Sequence, residues 1–184
     1  HGFRYEDTSS RWPVLLFNPS SFITKGEFIR SGFSFNSINE RLKKLPHRLL
    51  ISIAESCNSS VEINTPPLAR ELEDEILPMG FASIKNKAIQ KLFLRSEGEL
   101  VLSTCRPGEF SFTDASKGGF GKFALLNALD KTISGDVHDA TYQNWLSEAE
   151  QQLKKITTST SRYGEHSEMS QHFQYEGNIN GINI

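Results

Sequence analysis

The chain has 184 residues, a formal net charge of -2 and a hydrophobic content of 37%. This length suits one domain that buries a hydrophobic core. The near-neutral charge argues against a nucleic-acid partner, and the absence of a long apolar run in the sequence argues against a membrane partner.

Two cysteines, Cys57 and Cys105, are too few for a disulfide framework. They fit a reducing compartment, and we therefore expect a cytoplasmic protein. The first residue is not methionine. We expect the chain to start after processing, after cloning or within a longer gene.

The first elements predicted along the chain are short. An apolar run at residues 14–17 indicates a strand or a buried loop, and residues 22–35, which include two glycines, are predicted as loop. Residues 37–40 have the pattern of a capping box, which predicts a helix. Apolar residues then recur at helical spacing, and Pro46 is expected to end this helix. They are Ile38, Leu42 and Leu45.

Residues 49–56 are predicted to form a buried strand, with Cys57 just past its end. A continuous apolar run rich in β-branched residues is typical of a strand covered on both faces. In open α/β sheets, chemistry collects at the carboxyl ends of the strands. A lone thiol at such an end is a candidate nucleophile if a histidine reaches it, and His1 is the candidate.

A long polar connection follows over residues 58–80. Its acidic run, residues 71–75, is of the type that gathers calcium, although a solvated helical face is the favoured interpretation. An amphipathic helix is predicted next. Its apolar positions are Phe81, Ile84, Ala88, Leu92 and Phe93. A second buried strand is expected over residues 99–105, followed by a turn at residues 106–109.

Two further helices complete the predicted layers. Glycines at residues 118–121 lead into a helix with Phe123, Leu126 and Leu129 on its face. Asp139 is expected to cap the next helix. The apolar face of that helix is predicted to contain Tyr142, Trp145, Leu146, Ala149, Leu153 and Ile156. Residues 157–170 are predicted as a polar linker, residues 172–175 as a late edge strand and residues 177–184 as a tail. This order of elements favours an α/β layered domain with a mainly parallel sheet.

Several blocks of the chain resemble motifs of one peptidase group, and they occur in that group's order. His1 and Gly2 resemble the second half of its Ser-Gly-His-Gly motif, and residues 53–59 resemble its Asp-x-Cys-x-Ser-Gly block. Residues 104–109 and 119–126 resemble the strand and helix that follow. The chain thus resembles the caspase-like cysteine peptidases, which include caspases and metacaspases, and most closely the bacterial type.

This resemblance implies a three-layer sandwich with a mainly parallel sheet. Residues 1–156 would form a peptidase domain whose leading strands are missing from the chain. It also implies that Cys57 attacks a peptide carbonyl and that His1 handles the proton. The backbone N–H groups of Gly2 and Cys57 would form the oxyanion hole, where a glycine permits close backbone approach. No cofactor is expected, and the sequence leaves a calcium activation open.

Two positions depart from the family pattern: Glu55 stands where metacaspases usually have aspartate, and Ser60 stands where glycine is usual. The resemblance implies that Glu55 lines the substrate pocket. A carboxylate there selects arginine first and lysine second among protein or peptide substrates. The alternative is that Glu55 caps a neighbouring backbone amide.

Two other functions stay open at this point. One is a catalytically inactive caspase-like scaffold or interaction module. The other is a copper site, because an N-terminal histidine binds copper through its amine and ring. Further histidines are available to complete such a site: His47, His138, His166 and His172.

Overall fold

The computed structural model describes residues 2–5, 9–17, 31–60, 86–114, 118–161 and 170–184. Within these ranges the fold is mixed α/β. The strands are β1 (Gly2–Phe3), β2 (Val14–Leu15), β3 (Phe33–Ser34), β4 (Leu49–Ala54), β5 (Gly98–Ser103), β6 (Thr113–Asp114), β7 (Gly118–Gly119), β8 (Gln174–Ile179) and β9 (Ile182–Asn183). The helices are α1 (Phe35–Leu42), α2 (Lys87–Ile89, continued by a π-helical turn at Gln90–Leu94), α3 (Phe120–Ser134) and α4 (Tyr142–Ser161).

The main sheet has the strand order β4-β5-β8-β9 among the described residues. Strands β4 and β5 are parallel, whereas β8 is antiparallel to both β5 and β9. The prediction of a mainly parallel sheet is therefore wrong. The reason is that β8 begins beside the carboxyl end of β5, where Gln174 pairs with Ser103, and so runs in the opposite direction.

The C-terminal residues also differ from the prediction of an edge strand and a tail. Strand β8 lies between β5 and β9 in the sheet. The tight turn at Asn180 and Gly181, with φ of 54° and 78°, reverses the chain into β9. Positive φ at both central residues is the geometry that matches the twist of a two-residue hairpin, and Asn-Gly is its preferred sequence.

Strand β5 is the buried centre of the domain. Its side chains alternate, so Leu100 and Leu102 pack in the core with α2, α3 and α4. Val101 points into a second core on the opposite face, which includes Trp12 and Phe35. The predicted strand at residues 99–105 is confirmed, with its end at Ser103.

Strand β4 is less enclosed than the sequence predicts. It ends at Ala54, and its described partner in the sheet is β5 alone. Ser52 and Ala54 are buried, but the Ile53 side chain is 46% exposed. Burial on both faces therefore applies to β5, which contacts one core on each face, and not to the whole of residues 49–56.

Helix α4 confirms the apolar face predicted for it. Its buried residues include Tyr142, Trp145, Leu146, Ala149 and Leu153. Thr141, not Asp139, caps its first turn, because the Thr141 hydroxyl accepts the N–H of Asn144 at 3.1 Å. The helix continues to Ser161, through the first residues of the predicted polar linker.

Helix α3 buries a face that overlaps only in part with the predicted residues, since Leu129 packs partly buried against the core. Ala124, Leu125 and Ala128 are buried, whereas Leu126 is 38% exposed. The alanines let α4 approach closely, and the indole N–H of Trp145 donates to the backbone carbonyl of Leu125 at 2.9 Å. The predicted large residues therefore identify only part of the buried face, which also contains two alanines.

Helix α1 begins earlier than the capping-box pattern indicates. The Ser34 hydroxyl accepts the N–H of Ser37 at 3.3 Å, so Ser34 is the cap and Phe35 the first helical residue. Phe35 packs edge-on against Trp12, with ring centroids 5.9 Å apart. The helix ends at Leu42, and Leu45 lies outside it and is 59% exposed.

The centre of the sheet can be tested with two matched substitutions. Leu102→Ala is expected to lower the free energy of unfolding by about 2–5 kcal/mol, because it leaves a cavity under α3 and α4. Leu94→Ala, at a residue that is 52% exposed, is expected to cost about 0.5 kcal/mol or less. Urea unfolding measures both values, and equal losses would contradict the assignment of β5 as the central strand.

Candidate active site

The Cys57 side chain lies at the carboxyl end of β4 and is partly exposed to solvent. Its sulfur accepts the backbone N–H of Ser111 at 3.3 Å. The thiol also donates to the carbonyl oxygen of Ser111 at 3.9 Å, so the Ser111 main chain fixes the orientation of the sulfur. The predicted nucleophile is therefore partly exposed, and Ser111 contacts its sulfur.

The segment after Cys57 is tied to the turn that follows β5. The Asn58 N–H donates to the Glu109 carbonyl at 2.9 Å, and the Gly108 N–H donates to the Asn58 carbonyl at 2.8 Å. The Asn58 amide group is buried and donates to the carbonyl of Arg11 at 2.8 Å. These bonds hold the loop carrying Cys57 against two other parts of the chain.

The turn itself follows from its sequence, as predicted for residues 106–109. The Glu109 N–H donates to the Arg106 carbonyl at 3.0 Å, and Gly108 has φ of 91°. Proline at the second position and a glycine of positive φ at the third are typical of a type II turn. The turn brings Glu109 beside Asn58 and lets the chain continue to Ser111.

Gly2 lies directly against the predicted nucleophile. A Cβ atom on Gly2 would stand 2.5 Å from the carbonyl oxygen of Cys57 and still closer to the Ser56 side chain. The next residues run beside residues 59 and 60, and the Arg4 N–H donates to the Ser59 carbonyl at 3.0 Å. The close backbone approach expected of this glycine is present, and its role in an oxyanion hole stays a prediction.

His1, the predicted catalytic base, lies outside the described residues, as do His166 and the acidic run at residues 71–75. His47 contacts Glu99 at 3.4 Å, near the amino ends of β4 and β5. A six-residue strand is about 17–20 Å long, so His47 is at the opposite end of the sheet from Cys57. His172, by contrast, precedes β8 at the end of the sheet that carries Cys57.

Glu55 is engaged at the amino terminus of α3. Its carboxylate accepts the backbone N–H groups of Lys122 and Gly121. It also lies so close to Gly119 that a Cβ there would stand 2.5 Å from the carboxyl carbon. The capping alternative is thus present in the structure, and the substrate role of Glu55 stays a prediction.

The surroundings of the Glu55 carboxyl group favour its neutral form. Desolvation of the carboxyl group raises the pKa of Glu55 to about 7, against the opposing effects of the Lys122 backbone N–H, the Lys122 ammonium and the Gly121 N–H. The residue as a whole remains exposed. Solvent therefore screens the charge of this side chain, which limits the energetic weight of the shift.

Cys105 differs from Cys57 in the expected way. It is fully buried, and this burial raises the pKa of the Cys105 thiol. A buried, protonated thiol is an inert core residue. Of the two cysteines, Cys57 is the one with an accessible sulfur.

Asn58 and Ser111 are site residues that sequence reasoning missed. The sequence places Asn58 only in a polar loop, and it does not distinguish Ser111 from its neighbours. No local pattern marks either residue, because their roles depend on contacts with segments about 50 positions away in the chain. The predicted turn at residues 106–109 was the only available signal that this region returns towards Cys57.

Within the described ranges, no group of three His, Cys, Asp or Glu side chains is placed to hold a metal ion. In the same part of the chain, no helix has the length and apolar character to cross a membrane. A comparison with known proteins found no matching family model, no similar curated protein and no similar solved structure.

Gly2→Ala tests the contact between β1 and the Cys57 loop. The added methyl group meets backbone that cannot rotate away, so we expect a loss of about 1–3 kcal/mol in the free energy of unfolding. Gly135→Ala is the matched control, because its Cβ would be 3.4 Å from the nearest atom, an ordinary contact. Denaturant unfolding of both variants measures the difference, and an unchanged Gly2→Ala protein would refute the close contact.

The raised pKa of Glu55 predicts a pH-dependent stability. The folded state favours the protonated carboxyl group, so its contribution is full below about 4.5 and is lost as the pH rises through about 7. Glu55→Gln keeps a neutral side chain at every pH and is expected to flatten this part of the profile. Chemical unfolding between pH 4.5 and pH 8 measures it, and parallel profiles for the two proteins would contradict the shift.

Proposed function

We propose that the chain is a cysteine endopeptidase domain with Cys57 as its nucleophile. The observation that carries this proposal is the position of Cys57, a partly exposed residue at the end of β4 whose sulfur accepts the Ser111 N–H at 3.3 Å. Chemistry in α/β sheets concentrates at such strand ends. The order of the motifs around His1 and Cys57, which resembles caspase-like peptidases, supports the same assignment.

The proposed fold is the caspase-like three-layer sandwich. The covering of β5 on both faces supports it, since one core contains α2, α3 and α4 and the other contains α1 and Trp12. The antiparallel β8 means that the sheet of this sandwich is mixed.

The proposed reaction has two steps. The Cys57 thiolate attacks the carbonyl carbon of the scissile peptide, a C–S bond forms, and the C–N bond breaks as His1 gives its proton to the leaving amine. Water then adds to the thioester, and its cleavage releases the new carboxylate and restores the thiol. His1 accepts the proton of this water.

The backbone N–H groups of Gly2 and Cys57 are proposed to stabilise the oxyanion in both steps. The contact of Gly2 with the Cys57 carbonyl region supports this pairing, because it brings the two main-chain segments together. A side chain at position 2 would separate them. The donors would then no longer converge on one oxygen.

Glu55 is proposed to select arginine, and lysine second, in the substrate. Its position two residues before Cys57 supports this role. Capping of α3 does not exclude it, because a carboxylate has about four lone-pair sites and two are used by the Gly121 and Lys122 N–H groups. The guanidinium of a substrate arginine would donate two N–H groups to the remaining lone-pair sites.

Hydrolysis of paired fluorogenic peptides ending in Arg, Lys or Asp tests the proposal, with and without calcium. We expect cleavage after Arg, weaker cleavage after Lys, and a loss of at least about a thousandfold in Cys57→Ala. Cys105→Ala is the matched control and is expected to keep the activity, because Cys105 is buried.

Each other outcome has a defined meaning. Cleavage after Asp that depends on Cys57 would retain the nucleophile and reject the role of Glu55. An absence of cleavage by the folded protein under all conditions would reject the peptidase and favour the scaffold or interaction module.

A further inference from the structure

A histidine–carboxylate pair lies at the same end of the sheet as Cys57. The Glu109 carboxylate contacts the Nδ1 atom of His172 at 2.7 Å and accepts the backbone N–H of His172 at 2.8 Å. It also accepts the Arg106 N–H at 3.0 Å and the Ser170 hydroxyl at 3.2 Å. The pair therefore joins the turn after β5 to the segment that leads into β8.

This cluster favours the charged form of Glu109. Burial opposes the charge, but hydrogen bonds from the His172 side chain and from the backbone N–H groups of Arg106 and His172 hold the pKa of Glu109 below its usual range. Other charges face the pair as well. Arg106 lies 3.6 Å from Glu150 of α4, and Glu150 is itself close enough to His172 to interact with it.

The pair is connected to the Cys57 sulfur through short stretches of backbone. The Glu109 carbonyl accepts the N–H of Asn58, the residue after Cys57. Two residues beyond Glu109, the Ser111 N–H contacts the sulfur itself. A displacement of Glu109 would therefore move both Asn58, which follows Cys57 in the chain, and Ser111, which donates to the Cys57 sulfur.

The other side of Ser111 is fixed by the same segment that carries His172. The Phe112 N–H donates to the side-chain carbonyl of the buried Gln171 at 3.2 Å, and the Gln171 amide donates to the Thr104 carbonyl at 3.0 Å. Residues 109 and 112 are thus held by residues 172 and 171. Ser111 lies between these two anchored positions.

We propose that Glu109 and His172 are positioning residues, which hold the Ser111 N–H against the Cys57 sulfur and so set the reactivity of this thiol. The catalytic consequence rests on the proposed function, whereas the effect on the sulfur does not. Neither side chain is assigned a contact with substrate. Their action on Cys57 passes through the backbone of residues 109–111.

The rate at which iodoacetamide alkylates Cys57 tests the positioning role directly. Intact mass measures the rate, and peptide mapping identifies the alkylated cysteine. We expect His172→Leu to slow alkylation by about tenfold, since the loss of a single hydrogen bond to the sulfur has effects of about this order. His172→Asn replaces Nδ1 with an amide donor and is expected to restore the rate to within about twofold. A purely structural role would lower the melting temperature of His172→Leu without changing the alkylation rate of the folded protein.

The pair of His47 and Glu99 supplies the matched control. It is the same kind of contact, at 3.4 Å, at the opposite end of the sheet. His47→Leu is therefore expected to leave the alkylation rate within about twofold of the original. Equal slowing in His47→Leu and His172→Leu would overturn the proposal.

The outcomes separate this proposal from the peptidase assignment. If His172→Leu is folded by circular dichroism and alkylates at the original rate, the positioning role is rejected whatever the peptide assay shows. If the rate falls but the original protein cleaves no peptide, the positioning role stands and the peptidase assignment fails. The test uses His172 and not Glu109, because the His172 side chain is 43% exposed and its replacement is expected to leave the protein folded.

Discussion

The buried Asn58 is the constraint on which the candidate site depends. Its main chain exchanges two hydrogen bonds with residues 108 and 109, and its amide group donates to the carbonyl of Arg11. Buried polar groups are costly unless they are bonded, so these contacts hold the three segments together. Cys57 precedes Asn58 in the chain. The hydrogen bonds of Asn58 therefore help to fix the position of the Cys57 sulfur.

The site is built from several short segments on one end of the sheet. Gly2 brings the first strand against residues 56 and 57, where a side chain would not fit. Ser111 supplies the donor to the sulfur, and the pair of Glu109 and His172 anchors the turn before it. Little of this arrangement is provided by the regular elements. Strands β4 and β5 place the two loops side by side, and hydrogen bonds between the loops do the rest.

Glu55 contacts the amino terminus of α3 with the same carboxyl group that the proposed substrate recognition would use. The amino terminus of α3 attracts a carboxylate, because its first N–H groups lack helical partners. Crowding of the carboxyl group nevertheless raises the pKa of Glu55 to about 7. A positively charged substrate side chain would favour the ionised form. The capping contact and the proposed specificity are therefore compatible.

The sequence by itself determined the strand before Cys57, the central strand β5, the turn at residues 106–109 and the apolar face of α4, because each depends on a local pattern or periodicity. It also marked Cys57, Gly2 and Glu55. Only the tertiary structure decided the antiparallel placement of β8, the alanine-lined face of α3 and the roles of Asn58, Ser111 and His172. Those features depend on which distant segments meet, and hydrogen bonds between residues far apart in the chain leave no signal in either neighbourhood.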